Sequence, residues 1–124
     1  METCGVVRTY HNEDCNECNN LHDCNCNELE GIFLKEEYFQ NNGKIEGNYK
    51  KYFYNGILLI ECNFIDGKLN GIYKSYYING KLLEEYNFIN DKREGKYTMY
   101  NMNEQVFIEC YYIDGIMKTY KKVE

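Results

Sequence analysis

One phrase recurs three times in this chain, at intervals of 24 residues. The residues Gly-Asn-Tyr-Lys-Lys-Tyr at 47–52 return as Gly-Ile-Tyr-Lys-Ser-Tyr at 71–76 and as Gly-Lys-Tyr-Thr-Met-Tyr at 95–100. A fixed period of this length indicates that one small structural unit is stacked several times. Stacked units present an extended surface, so the pattern predicts binding rather than catalysis in a closed pocket.

Two turn signals divide each repeat. Asn55-Gly56 and Asn79-Gly80 stand at the first place, with Asn103-Glu104 as a degenerate copy. The second place holds Asp66-Gly67 and Asp114-Gly115, with Asn90-Asp91 between them and Asn42-Gly43 ahead of them. Asn-Gly and Asp-Gly favour positive φ at both central positions, as a type I′ hairpin turn requires. We therefore expect such turns at both places.

The runs between the turns have the length and the Tyr, Phe, Ile and Leu content of strands. Their residues alternate between an apolar and a mixed face: Leu58, Ile60, Cys62 and Phe64 share the first, and Leu59, Glu61, Asn63 and Ile65 the second. Glu84 breaks the pattern of the apolar face. We expect it to pair with a lysine, and a functional role is the alternative. Glu61, Glu85 and Glu109 form a row on the mixed face, where interleaved lysines would offset their repulsion.

The predicted fold is all-β: a single-layer, twisted antiparallel meander of stacked β-hairpins, with about eight strands between residues 32 and 122. This repeat domain covers residues 31–124 and follows a short cysteine-rich segment, residues 1–30. The charge divides at the same boundary. Residues 1–30 hold seven acidic residues and one basic residue, whereas residues 31–124 hold thirteen of each.

The repeat domain has a balanced charge and therefore no electrostatic attraction for phosphate backbones or anionic lipids. We expect no nucleic-acid partner. No apolar run approaches the roughly 20 residues of a membrane span, and the polar N-terminus does not resemble a secretory signal. We expect a cytoplasmic protein. The absence of Ala and Pro, with abundant Asn, Ile and Lys, indicates an AT-rich genome and allows a viral origin, with a place in the host cytoplasm or the virion.

The N-terminal segment carries metal-ligand spacing. Cys15 and Cys18 are followed by His22 and Cys26, with Cys24 as an alternative fourth ligand. Zinc binds four thiolate or imidazole groups, and Cys-x-x-Cys lets two sulfurs converge on one ion. A structural zinc site is one prediction for this segment. Disulfides, which would imply an oxidising compartment or a virion, and free thiols are the alternatives.

Cys62 and Cys110 occupy the same position two repeats apart. Four strand steps separate them, about 19 Å at ~4.8 Å per step. A disulfide requires Cα atoms within about 7 Å, so these two cysteines are not expected to pair. We predict that both are small residues of the sheet's core.

Tyrosines form two further rows, each with one member per repeat. The first holds Tyr49, Tyr73 and Tyr97, and the second holds Tyr52, Tyr76 and Tyr100. Such rows can grip a partner, and we predict a partner surface there. The alternative is that cross-strand aromatic pairs simply stabilise the sheet.

The residues 71–84 read Gly-x-Tyr-Lys-x-Tyr-Tyr-x-Asn-Gly-Lys-Leu-x-Glu, which resembles the MORN-repeat family in its variant with units of 22–24 residues. The resemblance extends over residues 31–122 and departs from the pattern at Glu104 and in a last unit shortened by one residue. It implies an elongated sheet of stacked hairpins with roles in protein association, scaffolding or attachment at membranes. Some bacterial members are labelled antitoxins, and large DNA viruses carry many such proteins.

A single sheet leaves its apolar face to be covered by its own coiling, by the N-terminal segment or by a second chain, and its open edges favour a homodimer. The repeat domain has no histidine to activate Ser75 or Thr98, so we expect no enzyme. The predicted function is a non-catalytic protein–protein interaction or scaffold module. The alternatives are a structural component of a virus particle and an antitoxin-like inhibitor of a partner protein.

Overall fold

A computed structural model of the chain describes residues 4–12 and 32–123. These residues form eleven strands and no helix. The strands are β1 Cys4–Asn12, β2 Ile32–Asn41, β3 Lys44–Tyr52, β4 Leu58–Ile65, β5 Lys68–Leu69, β6 Gly71–Tyr76, β7 Leu82–Ile89, β8 Lys92–Arg93, β9 Gly95–Tyr100, β10 Val106–Ile113 and β11 Ile116–Lys122.

The strands form one antiparallel sheet in the order β1-β2-β3-β4-β6-β7-β9-β10-β11, with short β5 and β8 beside β4 and β7. Every long strand therefore neighbours the long strand that precedes it in the chain. This confirms the predicted all-β hairpin meander. Between residues 32 and 122, eight strands have six residues or more, the number that the sequence predicts. The sheet also takes in β1, from the segment 1–30, in register with β2.

The second turn place of each repeat is a two-residue hairpin turn with positive φ at both positions, as predicted. The φ values are 53° and 78° at Asn42-Gly43, 52° and 78° at Asp66-Gly67, 48° and 68° at Asn90-Asp91, and 51° and 81° at Asp114-Gly115. These are the dihedrals that a type I′ turn requires. They join β2 to β3, β4 to β5, β7 to β8 and β10 to β11.

The type I′ prediction was wrong for the first turn place. There, the Gly56 N–H bonds to the Phe53 carbonyl at 3.0 Å, and the Phe53 N–H bonds to the Ile57 carbonyl at 2.8 Å. Gly56 has a φ of 85°, while Asn55 does not have a positive φ. The loop is thus a three-residue connection that ends in a left-handed residue, so only the glycine needs positive φ. The same hydrogen bonds recur at 77–81 and 101–105.

The first glycine of the recurring phrase marks a β-bulge. Gly47, Gly71 and Gly95 have φ of 82°, 92° and 82°, which suits glycine alone among ordinary residues. At Gly47 the register shifts by two residues, because Tyr38 pairs with Tyr49 while Phe39 pairs with Glu46. The bulge bends the chain after each type I′ turn, so that the following residues pair with both neighbouring strands.

The last hairpin has a smaller bulge. Tyr111 pairs with Thr119 while Tyr112 pairs with Met117, a shift of one residue. This shift is one residue smaller than the shift at Gly47, and the sequence of the last unit is also one residue shorter than that of the other units. The bulge absorbs that deletion, so Lys121 still lies opposite Glu109 as Lys74 lies opposite Glu61.

Three of the four type I′ turns are tied to the hairpin before them. The first turn residue donates its N–H to the side chain that precedes a bulge glycine. These bonds run from Asp66 to Glu46 at 2.7 Å, from Asn90 to Asn70 at 3.1 Å, and from Asp114 to Glu94 at 2.7 Å. Ion pairs of Lys44 with Asp66 (3.3 Å) and of Lys92 with Asp114 (3.1 Å) join the same turns. Stacking of the repeats thus relies on polar contacts along this rim.

The hydrophobic core is thin. Among the described residues no large side chain is fully buried, and the buried apolar residues are Cys62, Tyr97 and Cys110. Cys62 is 3% exposed, Cys110 is 6% exposed, and both are free thiols. This confirms the prediction that the two cysteines are unpaired core residues. The sheet buries a central row of side chains and leaves the rest of both faces partly open to solvent.

Candidate functional site

The first tyrosine row packs on one face of the sheet, which we call the inner face. Tyr49 stacks on Tyr38 with ring centroids 5.6 Å apart, and Tyr97 stacks on Tyr86 at 4.2 Å. Tyr73 meets Tyr86 edge-on at 5.8 Å. These arrangements are those that aromatic pairs prefer. Tyr97 is buried, and Tyr49 and Tyr73 are partly buried, so this row contributes to the packing of the sheet.

Glu84 lies on the inner face among hydroxyl groups. Its carboxylate accepts hydrogen bonds from Ser75 (3.0 Å), Tyr86 (3.2 Å) and Tyr97 (2.7 Å). The prediction of a lysine partner was wrong, because in the described part of the chain Glu84 forms no ion pair. Three hydroxyl donors satisfy the charge instead, as a partly buried carboxylate requires.

A second carboxylate repeats this arrangement two repeats upstream. Glu36 accepts hydrogen bonds from Tyr49 (2.6 Å) and Thr9 (3.1 Å). Burial and the hydrogen bond to glutamate raise the pKa of Tyr49 and of Tyr97 above the ordinary value for tyrosine. The equivalent position is Ile60 in the repeat between them and Ile108 in the repeat after Glu84. Polar and apolar repeats therefore alternate along the inner face.

The opposite face, the outer face, carries one row of charged side chains across the sheet. We call this set the charge row. In register order it contains Arg8, Glu37, Lys50, Glu61, Lys74, Glu85, Thr98, Glu109 and Lys121. Basic and acidic residues alternate from strand to strand, and Thr98 is the one uncharged member. The predicted interleaving of lysines with the glutamate row is confirmed.

Direct contacts support the charge row unevenly. Arg8 bonds to Glu37 at 2.7 Å, and this hydrogen bond, with the glutamate's charge, raises the pKa of Arg8. The Lys50–Glu61 pair is looser, at 3.8 Å. Thr98 cannot supply a positive charge to Glu109. Lys96, two residues earlier on the same strand, does so at a distance of 3.6 Å. Exposed pairs of this kind add little stability, so their main effect is to define register and surface potential.

The second tyrosine row lies on the outer face, on the side of the charge row towards the three-residue loops. Tyr52, Tyr76 and Tyr100 are all half-buried there. Burial, together with the nearby charges of Glu61 and Glu85, raises the pKa of Tyr76. The structure thus places the two predicted tyrosine rows on opposite faces and does not bring them together.

A stripe of isoleucines lies on the other side of the charge row. Ile65, Ile89 and Ile113 each precede a type I′ turn and are 55%, 52% and 48% exposed. Ile72, at 49%, lies on the same face. We call these four residues the isoleucine stripe. Sequence reasoning placed Ile65 on the mixed face but did not propose it as a site. Its recurrence every 24 residues on a polar face was the available signal.

A groove of about 370 Å³ runs between the charge row and the isoleucine stripe. Its lining includes Asn48, Glu61, Asn63, Ile72, Lys74 and Glu85. The groove therefore offers two carboxylates, one ammonium group, two amides and one apolar side chain. Such a mixture suits the side chains of a protein segment, because it combines apolar contact with hydrogen bonds and charges.

The predicted zinc ligands Cys15, Cys18, His22 and Cys26, with the alternative Cys24, lie outside the described residues. Within the described ranges, no group of three or more His, Cys, Asp or Glu side chains is placed to hold a metal ion. Those ranges also contain no helix with the length and hydrophobicity needed to cross a bilayer.

Comparison with known proteins finds no match: no family model, no curated protein and no solved structure resembles the chain closely enough to be identified.

Proposed function

We propose that this chain is a non-catalytic protein-interaction or scaffold module, built from MORN-like hairpin repeats, and that a partner protein binds its outer face. The observation that carries the proposal is the isoleucine stripe. Four side chains of one type lie about half-exposed on one face, three of them at equivalent positions of successive repeats. Scattered exposed apolar residues are ordinary, whereas an aligned set is typical of an interaction site.

The energetic argument follows from the area that a partner would cover. Full burial of an isoleucine is worth about 1.5–3 kcal/mol, so covering the exposed half of each contributes about 1 kcal/mol. Four such residues supply several kcal/mol towards association, before the losses of translational and side-chain freedom are subtracted. This gain is sufficient to motivate binding at the outer face.

The charge row supplies selectivity beside this apolar contact. Its alternating signs repel a partner with the wrong charge order and set the register of one with the right order. The half-buried row of Tyr52, Tyr76 and Tyr100 borders the same surface, as aromatic residues commonly do at interfaces. The predicted tyrosine surface is in this proposal one margin of the binding face. A second copy of the chain is one protein that can fill this role.

The test compares two sets of substitutions. The stripe variant carries Ile65→Ser, Ile89→Ser and Ile113→Ser. The matched control carries Tyr54→Ser, Ile78→Ser and Met102→Ser, which are 53%, 45% and 53% exposed and recur at the same interval in the opposite loops. Each protein is used as bait in its native cell extract, and captured chains are identified by mass spectrometry. Native mass of the pure chain reports self-association.

We expect a partner, or a second copy, to be retained by the wild-type chain and the control and to be lost from the stripe variant. Circular dichroism must show the same sheet in all three. A chain that is strictly monomeric and captures nothing specific contradicts the proposal. So does a partner that binds the stripe variant as well as the wild type.

A further inference from the structure

The last strand of the sheet, β11, has a single neighbouring strand among residues 4–12 and 32–123. In the described part of the chain, β11 pairs with β10 alone, and all its residues are exposed. The Val123 N–H bonds to the Phe107 carbonyl at 2.8 Å, and the direction of backbone groups alternates along an antiparallel pair. The backbone groups of Tyr120 and Lys122 therefore point away from β10. They offer donors and acceptors to a further strand.

The charge row ends at β11. Lys121 lies opposite Glu109, but the Glu109 carboxylate is already paired with Lys96, and Lys121 forms no ion pair with any described residue. In a strand added antiparallel to β11, the residue facing Lys121 belongs to a non-hydrogen-bonded pair, in which side chains approach most closely. Continuing the alternation of the row calls for an acidic residue at that position.

A second copy of the chain does not provide this residue through its own edges. β11 contains Lys118, Lys121 and Lys122 and no acidic residue. β1, at the other edge, contains Arg8 and no acidic residue. Pairing of two β11 strands, or of β11 with β1, would bring basic residues together, as edge lysines commonly do to prevent self-association.

The inner face of β11 adds a second requirement. Tyr120 lies opposite Cys110 at the end of the aromatic row and is 58% exposed. Its open ring surface favours an apolar or aromatic residue on the added strand, because aromatic cross-strand pairs stabilise sheets. The added strand therefore needs an acidic residue that faces Lys121 and, next to it in sequence, an apolar residue that faces Tyr120. These two side chains lie on opposite faces of the sheet.

We propose that β11 binds an extended acidic segment of a partner protein by antiparallel strand addition, with a carboxylate beside Lys121 and an apolar side chain beside Tyr120. The inference rests on the proposed function, since it assigns the chemistry of one partner segment. Backbone hydrogen bonds at Tyr120 and Lys122 supply the attachment, and the two side-chain contacts select the sequence.

The experiment uses the full chain and labelled synthetic peptides. The probe is a short extended peptide of alternating valine and threonine with one central glutamate. The control peptides carry glutamine or lysine at the centre. Fluorescence anisotropy reports binding. We expect the glutamate peptide to bind about tenfold more tightly than the lysine peptide, because one cross-strand pair changes from attractive to repulsive.

Two pairs of variants separate the contributions. Lys121→Glu should reverse the peptide preference, whereas Lys118→Glu, with the same change in net charge, should leave its order unchanged. Tyr120→Pro removes an N–H that points to the open edge, while Tyr120→Ala removes the ring and keeps the N–H. We expect Tyr120→Pro to bind more weakly than Tyr120→Ala, with unchanged circular dichroism in both.

Equal affinity for the three peptides, or an unchanged preference in Lys121→Glu, overturns the proposal. A native dimer that Tyr120→Pro dissociates also overturns it, because the edge is then occupied by a second copy. If a partner that is captured through the isoleucine stripe binds these β11 variants as tightly as it binds the wild type, the edge proposal fails while the proposed function stands. If neither surface binds any protein, the proposed function fails as well.

Discussion

The hydroxyl of Tyr97 donates a 2.7 Å hydrogen bond to the carboxylate of Glu84 on the inner face of the sheet. The two residues lie on the adjacent strands β9 and β7, and the ring of Tyr97 also stacks on Tyr86. One tyrosine therefore joins the aromatic packing of the inner face to its polar contacts.

The Tyr97→Phe substitution keeps the stacked ring and removes the hydrogen bond. Because a hydrogen bond to a charged group contributes about 1.5–3 kcal/mol, we expect the free energy of unfolding in urea to fall by about 2 kcal/mol. Tyr73→Phe is the matched control. It removes a hydroxyl from the equivalent position of the preceding repeat, where the preceding strand carries Ile60 in place of the glutamate. A similar loss in both variants would contradict the role assigned to Glu84.

Alkaline pH should destabilise the fold through the same residue. Burial first, and the hydrogen bond to Glu84 second, raise the pKa of Tyr97 in the folded chain. The stability from this shift is complete below the pKa of the unfolded chain, near 10, and is lost as pH rises above it. Urea unfolding at a series of pH values should show this decline, and Tyr97→Phe should show a shallower one. Parallel curves for the two proteins would contradict the assignment.

Cys62 should be inert to thiol reagents in the native chain. It is almost completely buried, and this burial, with a smaller effect of the Glu61 charge, raises its pKa to about 11. Since the thiolate is the reactive form, we expect alkylation at neutral pH only after unfolding in urea. Cys4 is exposed and serves as the reactive control within the same sample. Peptide mass spectrometry distinguishes the sites, and rapid native labelling of Cys62 would contradict its place in the core.

Glu104 should be replaceable by glycine with a gain in stability. It has a φ of 64°, whereas the equivalent positions in the other three-residue loops are Gly56 and Gly80. The left-handed conformation costs a non-glycine residue about 1 kcal/mol, so we expect Glu104→Gly to raise the free energy of unfolding by about that amount. The reverse change, Gly80→Glu, should lower it. Unchanged urea midpoints in both variants would show that these loops carry no strain.

The repeat made most of the fold predictable. Asp66-Gly67 and Asp114-Gly115 indicated turns of the correct type, because a two-residue hairpin turn needs positive φ at both positions. Asn55-Gly56 is the same dipeptide as Asn42-Gly43, which forms a type I′ turn, but it lies in a longer connection. The hydrogen bond between Phe53 and Ile57 shows that loop length, not the dipeptide, decides the geometry there.

The candidate site was less predictable than the fold. The charge row follows from register, and alternation alone placed its glutamates on one face. The hydroxyl groups within reach of Glu84 are determined by the bulge at Gly71 and by the pairing of Ser75 with Glu84. The apolar–polar pattern of a single strand does not specify either feature. β1 lies outside the repeat, so no periodic signal marked Cys4–Asn12 as part of the sheet.

The alternation of Glu36, Ile60, Glu84 and Ile108 along the inner face has a consequence for how such a chain can grow. A duplication of one 24-residue unit would set two glutamate units or two isoleucine units side by side and interrupt the order. A duplication of two units at once would preserve the alternation of glutamate and isoleucine. A longer sheet that keeps this order would therefore grow by a tandem pair of units, which is four long strands at a time.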